Sequence, residues 1–314
     1  MKKIYIILLV ILNIFALIGF VSSIIYLITY IKYKKYEPFF KKTIYNDIHC
    51  GKLSCFPDII DLPFPTFEKD NYNQDIAKYC IYLIQRIYDA VDNDSKFIPP
   101  KGVKVEKEIN YDKTLFSVIC SYQNNIIIVF RGTQHVEEWM RDIDYEQVFY
   151  LKNNKNTSLS SLSDINLAPS VHKGFYTVFN DIKNSIKSKI EELNPDKTKN
   201  IIITGHSLGS GVSTILSADL YYSDYKNTVC YLFASPRVGN AQFAALIGNT
   251  KLYNIINTLD VIPNLPIAVA PNLYNINQPY IYYNCGEQKT FSDNWDSITN
   301  NHGLGIYLKN LPSK

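Results

Sequence analysis

Apolar residues recur along this chain with two periods, and helical and strand-like segments alternate after about residue 70. Steps of three and four residues predict helices over 72–92, 175–193 and 208–222, with another from about residue 240. Short apolar runs predict strands at 115–122, 125–130, 200–204, 229–234 and 251–257. Uninterrupted apolar strands that alternate with helices are typical of a parallel sheet covered on both faces. The pattern therefore predicts an α/β fold with a mostly parallel central sheet.

A longer apolar run precedes this alternation. Residues 4–31 are 28 residues without a charge. A membrane-spanning helix needs roughly 20 such residues, whereas the apolar part of a cleavable signal has only about 7–15. We therefore predict an uncleaved transmembrane anchor within residues 1–36, a Pro-containing linker over 37–70 and one α/β domain over 71–314. The alternatives are a signal sequence cleaved near the "VSS" at 21–23, followed by secretion, and a buried core helix.

The charge and the metal-binding residue types narrow the function. Lysines flank both ends of the apolar run, at 2–3 and over 32–42, so the positive-inside rule gives opposing indications of orientation. A net charge of +3 over 314 residues is too small to indicate a nucleic-acid partner. The six cysteines lack C-x-x-C spacing and the five histidines do not cluster near them, which argues against a zinc site.

Two groups of cysteines differ in their surroundings. Cys120 and Cys230 lie inside strand-like apolar runs, so they are expected to be buried free thiols. Cys50 and Cys55 lie in a Gly/Pro-containing segment and are candidates for a disulfide in an oxidising compartment.

One pentapeptide carries candidate chemistry. Gly205-His206-Ser207-Leu208-Gly209 lies between a predicted strand and a predicted helix. A G-x-S-x-G sequence in that setting is the pattern of a nucleophile elbow, where small residues leave room around a strained serine. The alternative is a glycine loop in which Ser207 only caps the following helix. The strand and the helix favour the elbow, with Ser207 as nucleophile and Gly205 and Gly209 as the clearing residues.

A nucleophilic serine needs a base and a carboxylate, and the chain order restricts both. In an α/β-hydrolase the order is serine, acid, histidine. His302 is the one histidine after Ser207, so elimination selects it as the base. Asp260 follows a predicted strand, where a sheet-borne acid emerges, and is the first choice for the carboxylate. Asp296, in a polar loop close to His302, is the second choice.

The intermediate of acyl transfer also needs an oxyanion hole. One donor is the backbone N–H after the nucleophile, which belongs to Leu208. The other comes from a loop after an earlier strand, and "IIIVFRGT" at 126–133 ends such a strand with Gly132 and a hydroxyl residue. Thr133 is therefore the second candidate donor.

The motifs together resemble the class 3 family of fungal-type triacylglycerol lipases, which are α/β-hydrolases. The resemblance covers about residues 115–308 and rests on segments in the family's order: "VFRGT" (129–133), "VHKGFY" (171–176), "ITGHSLG" (203–209), "ASPRVGNAQFA" (234–244), "NTLDVIPNLP" (257–266) and "NHGLGIYL" (301–308). It implies Ser207, Asp260 and His302 as the catalytic triad, and Thr133 and Leu208 as the oxyanion donors.

The resemblance also places an amphipathic lid directly after the R-G-T turn. The segment "QHVEEWMRDI" at 134–143 puts its apolar residues on one helical face: Val136, Trp139, Met140 and Ile143. A lid would shield the acyl site in water and turn its apolar face toward lipid. A structural helix would show the same pattern, and it stays the alternative.

The residues and the resemblance together predict a membrane-tethered serine ester hydrolase that releases fatty acid from glycerolipids at a lipid interface. The triad needs no metal and no organic cofactor. The same triad serves phospholipases, diacylglycerol lipases and other esterases, which are the first alternative. A non-catalytic membrane-anchored binding module is the second alternative.

Overall fold

The computed structural model describes residues 63–133, 145–150, 168–272, 275 and 277–312. Its strands are β1 (Lys104–Tyr111), β2 (Thr114–Tyr122), β3 (Asn125–Phe130), β4 (Gln147–Phe149), β5 (Ser170–His172), β6 (Asn200–His206), β7 (Thr228–Phe233), β8 (Lys251–Asn257), β9 (Val269–Ala270), β10 (Tyr280–Ile281) and β11 (Glu287–Phe291). Its α-helices are α1 (Gln74–Asp92), α2 (Lys173–Leu193), α3 (Leu208–Tyr222), α4 (Ala241–Leu246), α5 (Ile298–His302) and α6 (Leu304–Lys309). A single 3₁₀ turn, Ile262–Asn264, also lies in this part of the chain.

Seven strands form the central sheet in the order β1-β2-β3-β6-β7-β8-β11. The two pairs at the β1 edge, β1–β2 and β2–β3, are antiparallel, and the other four pairs are parallel. β4 pairs with β5, and β9 with β10, as small antiparallel ladders outside this sheet. The prediction of a mostly parallel central sheet is confirmed, and parallel strands that end at one edge bring their following loops together there.

The inner strands are buried on both faces because each face carries its own apolar layer. Along β3, Ile126 and Ile128 pack into one cluster with α2, α3 and α4. Ile127 and Val129 point the opposite way, into a second cluster with α1 and α6. Alternate side chains of a strand face opposite sides, so an isoleucine-rich strand between two helical layers buries every residue.

Side-chain caps begin the helices that border the site. Asn73 Oδ1 accepts the N–H groups of Asp75 and Ile76 at the start of α1. Asn240 Oδ1 accepts the N–H of Phe243 at the start of α4. Such caps satisfy donors that a helix leaves unpaired in its first turn.

Most predicted elements agree with the structure to within a few residues, including α1, α2, α3 and strands β2, β3, β6, β7 and β8. The two edge strands of the central sheet, β1 and β11, were not predicted. Their residues, "KVEKEINY" and "EQKTF", are mostly polar and partly exposed, so they lack the apolar run that marks the inner strands.

The N-terminal predictions fall elsewhere. The chain divides into two units, Met1–Ser54 and Cys55–Lys314. The predicted anchor at 4–31, residues 37–62 of the predicted linker and the Cys50–Cys55 pair all lie outside the described residues. In the part of the chain that the structure describes, no helix combines the length and the apolar character needed to cross a membrane.

The described cysteines are free thiols. Cys80, Cys120, Cys230 and Cys285 are all buried. Burial raises the pKa of the Cys80, Cys120 and Cys285 thiols to about 12, because a thiolate loses its hydration there. The expectation that Cys120 and Cys230 are buried free thiols is confirmed.

Candidate active site

Ser207 lies at a sharp turn between β6 and α3. Its φ of +57° and ψ of −126° belong to a region that residues with a side chain rarely adopt. The Ser207 N–H donates to the carbonyl of Phe233 at 3.0 Å, and the Ser207 carbonyl accepts the N–H of Ser210 at 2.9 Å. These bonds hold the strained residue at the carboxyl end of the parallel strands, as the nucleophile-elbow prediction requires.

The two flanking glycines are needed for close approach. A Cβ on Gly209 would lie 2.3 Å from the carbonyl oxygen of Arg131, and one on Gly205 would lie 2.5 Å from the carbonyl oxygen of Gly209. Neither distance is tolerable for a carbon atom, so α3 can pack this closely against β3 and β6 only with glycine at both positions. The clearing role predicted for Gly205 and Gly209 has a direct steric basis.

The predicted base and acid are in contact. His302 Nδ1 lies 2.7 Å from Asp260 Oδ2, and only 4% of His302 and 1% of Asp260 is exposed. A carboxylate can only accept, so Nδ1 carries the proton and Nε2 presents its lone pair. Asp296, the second choice for the acid, is exposed in its loop, so the structure favours Asp260.

Two further donors hold the Asp260 carboxylate. Oδ1 accepts the Ile262 N–H at 2.9 Å, and Oδ2 accepts the hydroxyl of Tyr307 at 2.8 Å. Tyr307 is fully buried in α6, and burial followed by the negative charge of Asp260 raises its pKa well above the ordinary value. The phenol therefore stays protonated and donates. Tyr307 was not among the predicted site residues, because nothing in an apolar C-terminal segment indicates that its hydroxyl reaches the acid.

The loop that carries the base meets the strand that carries the nucleophile. His206, which precedes Ser207, places Nε2 2.8 Å from the carbonyl oxygen of His302, and the two imidazole centroids lie 4.6 Å apart. The Ser207 hydroxyl and His302 Nε2 are buried, and neither has a hydrogen-bond partner among the described residues. The nucleophile and the base are therefore not yet hydrogen-bonded to each other, and in unliganded enzymes such bonds often tighten only when substrate binds.

The candidate oxyanion donors lie beside the nucleophile. Leu208 is the first residue of α3, where a helix leaves its N–H groups without internal partners. A Cβ on Gly132 would lie 2.8 Å from Ser207 Cβ, so the turn that leads into Thr133 packs directly against the nucleophile. The structure thus places Leu208 next to Ser207 in the chain and packs the Gly132 turn, which leads into Thr133, against it.

Side chains fix the Gly132 peptide groups on two sides. The Gly132 N–H donates to the hydroxyl of Tyr88 at 2.7 Å, and the Gly132 carbonyl accepts from Arg131 Nη1 at 2.7 Å. Arg131 is itself buried and its Nε donates to the carbonyl of Leu115 at 2.5 Å. Sequence reasoning assigned no role to Arg131 or Tyr88. The "RGT" motif indicated the turn, but Tyr88 lies 44 residues earlier in the helix predicted over 72–92, where no local pattern points to its hydroxyl.

The predicted lid lies outside the described residues. This applies to Val136, Trp139, Met140 and Ile143, so the lid and the structural-helix alternative both stay open predictions.

Comparisons with known proteins match the same region of the chain. Residues 127–270 match the family model described as Lipase (class 3). A lipase of Rhizomucor miehei is 24% identical over 201 residues, which is 62% of this chain and 49% of that protein. Phospholipase A1-II 1 of Oryza sativa subsp. indica is 28% identical over 165 residues, which is 46% of this chain and 40% of that protein. The chain therefore spans about half the length of these relatives, or less.

The fold has counterparts among solved structures. The triacylglyceride lipase of Rhizomucor miehei superimposes with a TM-score of 0.55 at 21% identity, covering 71% of this chain and 82% of that one. At this identity the likeness concerns the arrangement of helices and strands.

Proposed function

We propose that the chain is a serine carboxylic-ester hydrolase of the class 3 lipase type that releases fatty acid from glycerolipids, because residues 127–270 match that family model. The observation that carries this proposal is the buried 2.7 Å hydrogen bond between His302 Nδ1 and Asp260 Oδ2. It fixes the tautomer in which Nε2 can accept a proton, next to a strand that ends in a strained serine.

The first half of the proposed reaction forms an acyl-enzyme. Ser207 Oγ attacks the ester carbonyl carbon while His302 Nε2 takes the hydroxyl proton. The imidazolium that forms is stabilised by the Asp260 carboxylate, which the Tyr307 hydroxyl and the Ile262 N–H hold in place. The N–H of Leu208 and a donor on Thr133 stabilise the oxyanion. His302 then returns its proton to the departing glycerolipid alcohol.

The second half releases the fatty acid. Water enters the site of the departed alcohol, and His302 removes a proton from it as it attacks the acyl carbon. The second tetrahedral intermediate collapses with transfer of the proton back to Ser207 Oγ. The enzyme returns to its starting state, and the net change is cleavage of one ester bond by one water molecule.

The class of glycerolipid that the protein cleaves is the more specific part of the proposal. Triacylglycerol is the first candidate, since the sequence motifs resemble those of the fungal-type triacylglycerol lipases and a lipase of Rhizomucor miehei matches 62% of this chain. A phospholipid substrate is the second candidate, because a phospholipase A1 of rice is 28% identical over 46% of the chain. Both candidates use the same triad, so they differ only in what surrounds the scissile ester.

The test compares three substrates with the full chain in a mild detergent. Emulsified triolein, phosphatidylcholine vesicles and soluble p-nitrophenyl butyrate are each assayed with the wild type and with Ser207→Ala. Ser95→Ala, at an exposed serine away from the site, is the matched control. We expect Ser207→Ala to lose about 10⁴-fold or more in kcat, as triad removal does in other serine hydrolases, and Ser95→Ala to retain full activity.

The pattern of activity on the three substrates distinguishes between the candidate functions. Ser207-dependent release from triolein supports the triacylglycerol assignment, and release from the vesicles alone supports the phospholipase. Cleavage of the soluble ester alone would retain the triad and reject both lipid assignments. A folded wild type that cleaves none of the three would reject the hydrolase and favour the binding module.

We also propose that residues 4–31 tether the domain to a membrane. The tether would raise the local concentration of lipid substrate at the active site. The support is the length of the uncharged apolar run in the sequence. Expressed full chain should stay with the membrane pellet after carbonate washing and keep its first residues in N-terminal sequencing. A soluble product that begins near residue 24 would indicate a cleaved signal instead.

A further inference from the structure

Two polar residues beside the site have no part in the proposed chemistry. Tyr88 is partly buried near the end of α1, and His206 is buried immediately before the nucleophile. Tyr88 Oη lies 2.9 Å from His206 Nδ1, and the rings meet edge to face. Both side chains also contact the backbone of the site. Tyr88 Oη accepts the N–H of Gly132, and His206 Nε2 reaches the carbonyl of His302.

Only one arrangement of protons satisfies all of these contacts. The His302 carbonyl can only accept, so His206 Nε2 must carry a proton. Burial, followed by the nearby His302 imidazole, lowers the pKa of His206 well below its ordinary value, so the ring is neutral and Nδ1 has a lone pair. The Tyr88 hydroxyl therefore donates to His206 Nδ1 while its oxygen accepts from Gly132.

This series of hydrogen bonds connects the oxyanion turn to the residue that provides the base. One end is Gly132, which precedes the oxyanion candidate Thr133 and packs on Ser207 Cβ. The other end is the main chain of His302, the base. We propose that Tyr88 and His206 are positioning residues, which hold the oxyanion turn and the base in register across the nucleophile. This inference rests on the proposed function of the same site.

The geometry explains why a loss at Tyr88 should act on the chemistry. Arg131 donates to the Gly132 carbonyl and Tyr88 accepts from the Gly132 N–H, so in the described part of the chain both side chains help to set the orientation of this turn. Without the hydroxyl, the Gly132 N–H and His206 Nδ1 both lose their partners. The turn would then be held from one side only, and the donor at Thr133 would drift from the oxyanion. Donors of this kind act mainly in the transition state, so kcat should fall more than KM changes.

The test uses isosteric variants in the full chain, in mild detergent, with p-nitrophenyl butyrate as substrate. Tyr88→Phe removes the hydroxyl that bonds to both Gly132 and His206. Tyr79→Phe is the matched control, since it removes a buried hydroxyl of the same helix that has no partner among the described residues. At position 206, His206→Gln keeps a donor near Nε2 but loses the acceptor for Tyr88. His206→Asn does the reverse.

We expect Tyr88→Phe to lower kcat about tenfold with KM within about twofold, and Tyr79→Phe to leave both unchanged. His206→Gln should resemble Tyr88→Phe, and the double variant should be no slower than either single variant, because each breaks the same chain. His206→Asn should also be slow, since it releases the His302 carbonyl. Thermal unfolding confirms that each protein is folded at the assay temperature.

Two results would overturn the inference: a Tyr88→Phe variant indistinguishable from Tyr79→Phe, or losses that simply add in the double variant. A separate readout covers failure of the proposed function, in which the wild type shows no Ser207-dependent turnover. The full chain is then labelled with ¹⁵N-histidine, and the ring signals of His206 and His302 are compared between wild type and Tyr88→Phe. A shift at both rings supports the linkage, and an unmoved His302 signal rejects it.

Discussion

At the scale of single residues, Ser207 is held in a conformation that it would not adopt alone. A φ of +57° with ψ of −126° costs of order 1–3 kcal/mol for a residue with a side chain. The bonds to Phe233 and Ser210 and the clearance at Gly205 and Gly209 offset that cost. The hydroxyl therefore projects from a fixed point, and its neighbours must be placed as accurately as the serine itself.

At Gly132, one added carbon should test how accurately the neighbours of Ser207 must be placed. A Cβ there would lie 2.6 Å from Tyr88 Oη, 2.8 Å from the His206 carbonyl oxygen and 2.8 Å from Ser207 Cβ. Gly132→Ala must push the oxyanion turn away from the nucleophile. We expect kcat/KM for p-nitrophenyl butyrate to fall about 10²-fold, the usual cost of a misplacement near 1 Å.

Gly248→Ala is the control for the effect of alanine itself. The nearest atom to its added Cβ is the Ala245 carbonyl oxygen at 3.3 Å, so a small adjustment accommodates it. This variant should keep its activity. Equal activity of the two variants would contradict the packing of Gly132 on Ser207.

His206 should leave a signature in the pH dependence of stability. Its folded pKa is lowered by burial, so below the unfolded value of about 6.5 the unfolded chain binds a proton that the folded chain does not. The contribution of this residue is complete above that pH and is lost as the pH falls toward the lowered folded pKa. Stability should decline there by up to about 1.4 kcal/mol per pH unit from this one group.

Urea unfolding of the full chain at pH 7.5, 6.5 and 5.5 measures this decline. His206→Gln carries no titrating group at the position, so its stability should fall less than that of the wild type over the lower interval. Other ionisable groups contribute to both proteins, and the difference isolates His206. Parallel curves would contradict a buried neutral imidazole.

At the scale of elements, the acid and the base sit on short segments that need support. Asn257, fully buried at the end of β8, provides much of it. Its Nδ2 donates to the carbonyls of Asp293 and Asn301 at 3.0 and 3.2 Å. Its Oδ1 accepts the N–H groups of Leu259 and Asp293, both at 3.2 Å. One amide thus ties the strand that leads to Asp260 to the five-residue helix that ends in His302.

Asn257→Ala should therefore damage both stability and turnover. It leaves one buried and three partly buried backbone groups without these partners, and a fully buried group of this kind costs about 1–3 kcal/mol. We expect the free energy of unfolding to drop by about 3 kcal/mol and kcat/KM to fall at least about tenfold, since the acid and the base lose their common anchor. Denaturant unfolding and the butyrate assay measure the two effects.

Asn294→Ala, at an exposed asparagine of the same loop, is the control. It should lose less than Asn257→Ala in both measurements. A control that is equally damaged would show that the whole loop, and not the Asn257 amide, supports the site.

The sequence predicted those elements in which apolar residues occupy the buried positions and polar residues the exposed ones. Strand β3 is buried on both faces and is almost entirely apolar, and helix α1 is buried along one face and has apolar residues there, so both can be recognised from their residues. Strand β11 has polar neighbours and solvent at the sheet edge, so its residues do not reveal it. Ser207 could be chosen from its motif between a strand and a helix, and His302 from chain order. Asp260 could be ranked above Asp296 only because it follows a predicted strand. Tyr307, Asn257 and Tyr88 act through contacts between distant segments, which no local pattern records.

At the scale of the whole domain, the sheet separates two apolar layers that share its strands. Ile127 and Ile128 are neighbours along β3 and are at most 1% exposed, yet they enter opposite layers. Ile127→Ala and Ile128→Ala should each lower the free energy of unfolding by about 2–5 kcal/mol, because each leaves a cavity in a close-packed layer. Urea unfolding of the full chain measures both.

Ile98→Ala serves as the control, since Ile98 is 56% exposed. It should change stability by no more than about 0.5 kcal/mol. If Ile127→Ala or Ile128→Ala lowered the free energy of unfolding by as little as Ile98→Ala, the layer that contains that isoleucine would not be part of the core that supports the site.

The buried cysteines have a consequence for where such a domain can work. Cys80, Cys120, Cys230 and Cys285 are buried free thiols, and their raised pKa keeps them protonated. A protonated, inaccessible thiol reacts slowly with oxidants and with disulfides. The described part of the domain therefore gains no covalent link in an oxidising compartment and has none to lose in a reducing one. The fold of that described part therefore depends on no disulfide, and a change in the redox potential around it leaves these four thiols as they are.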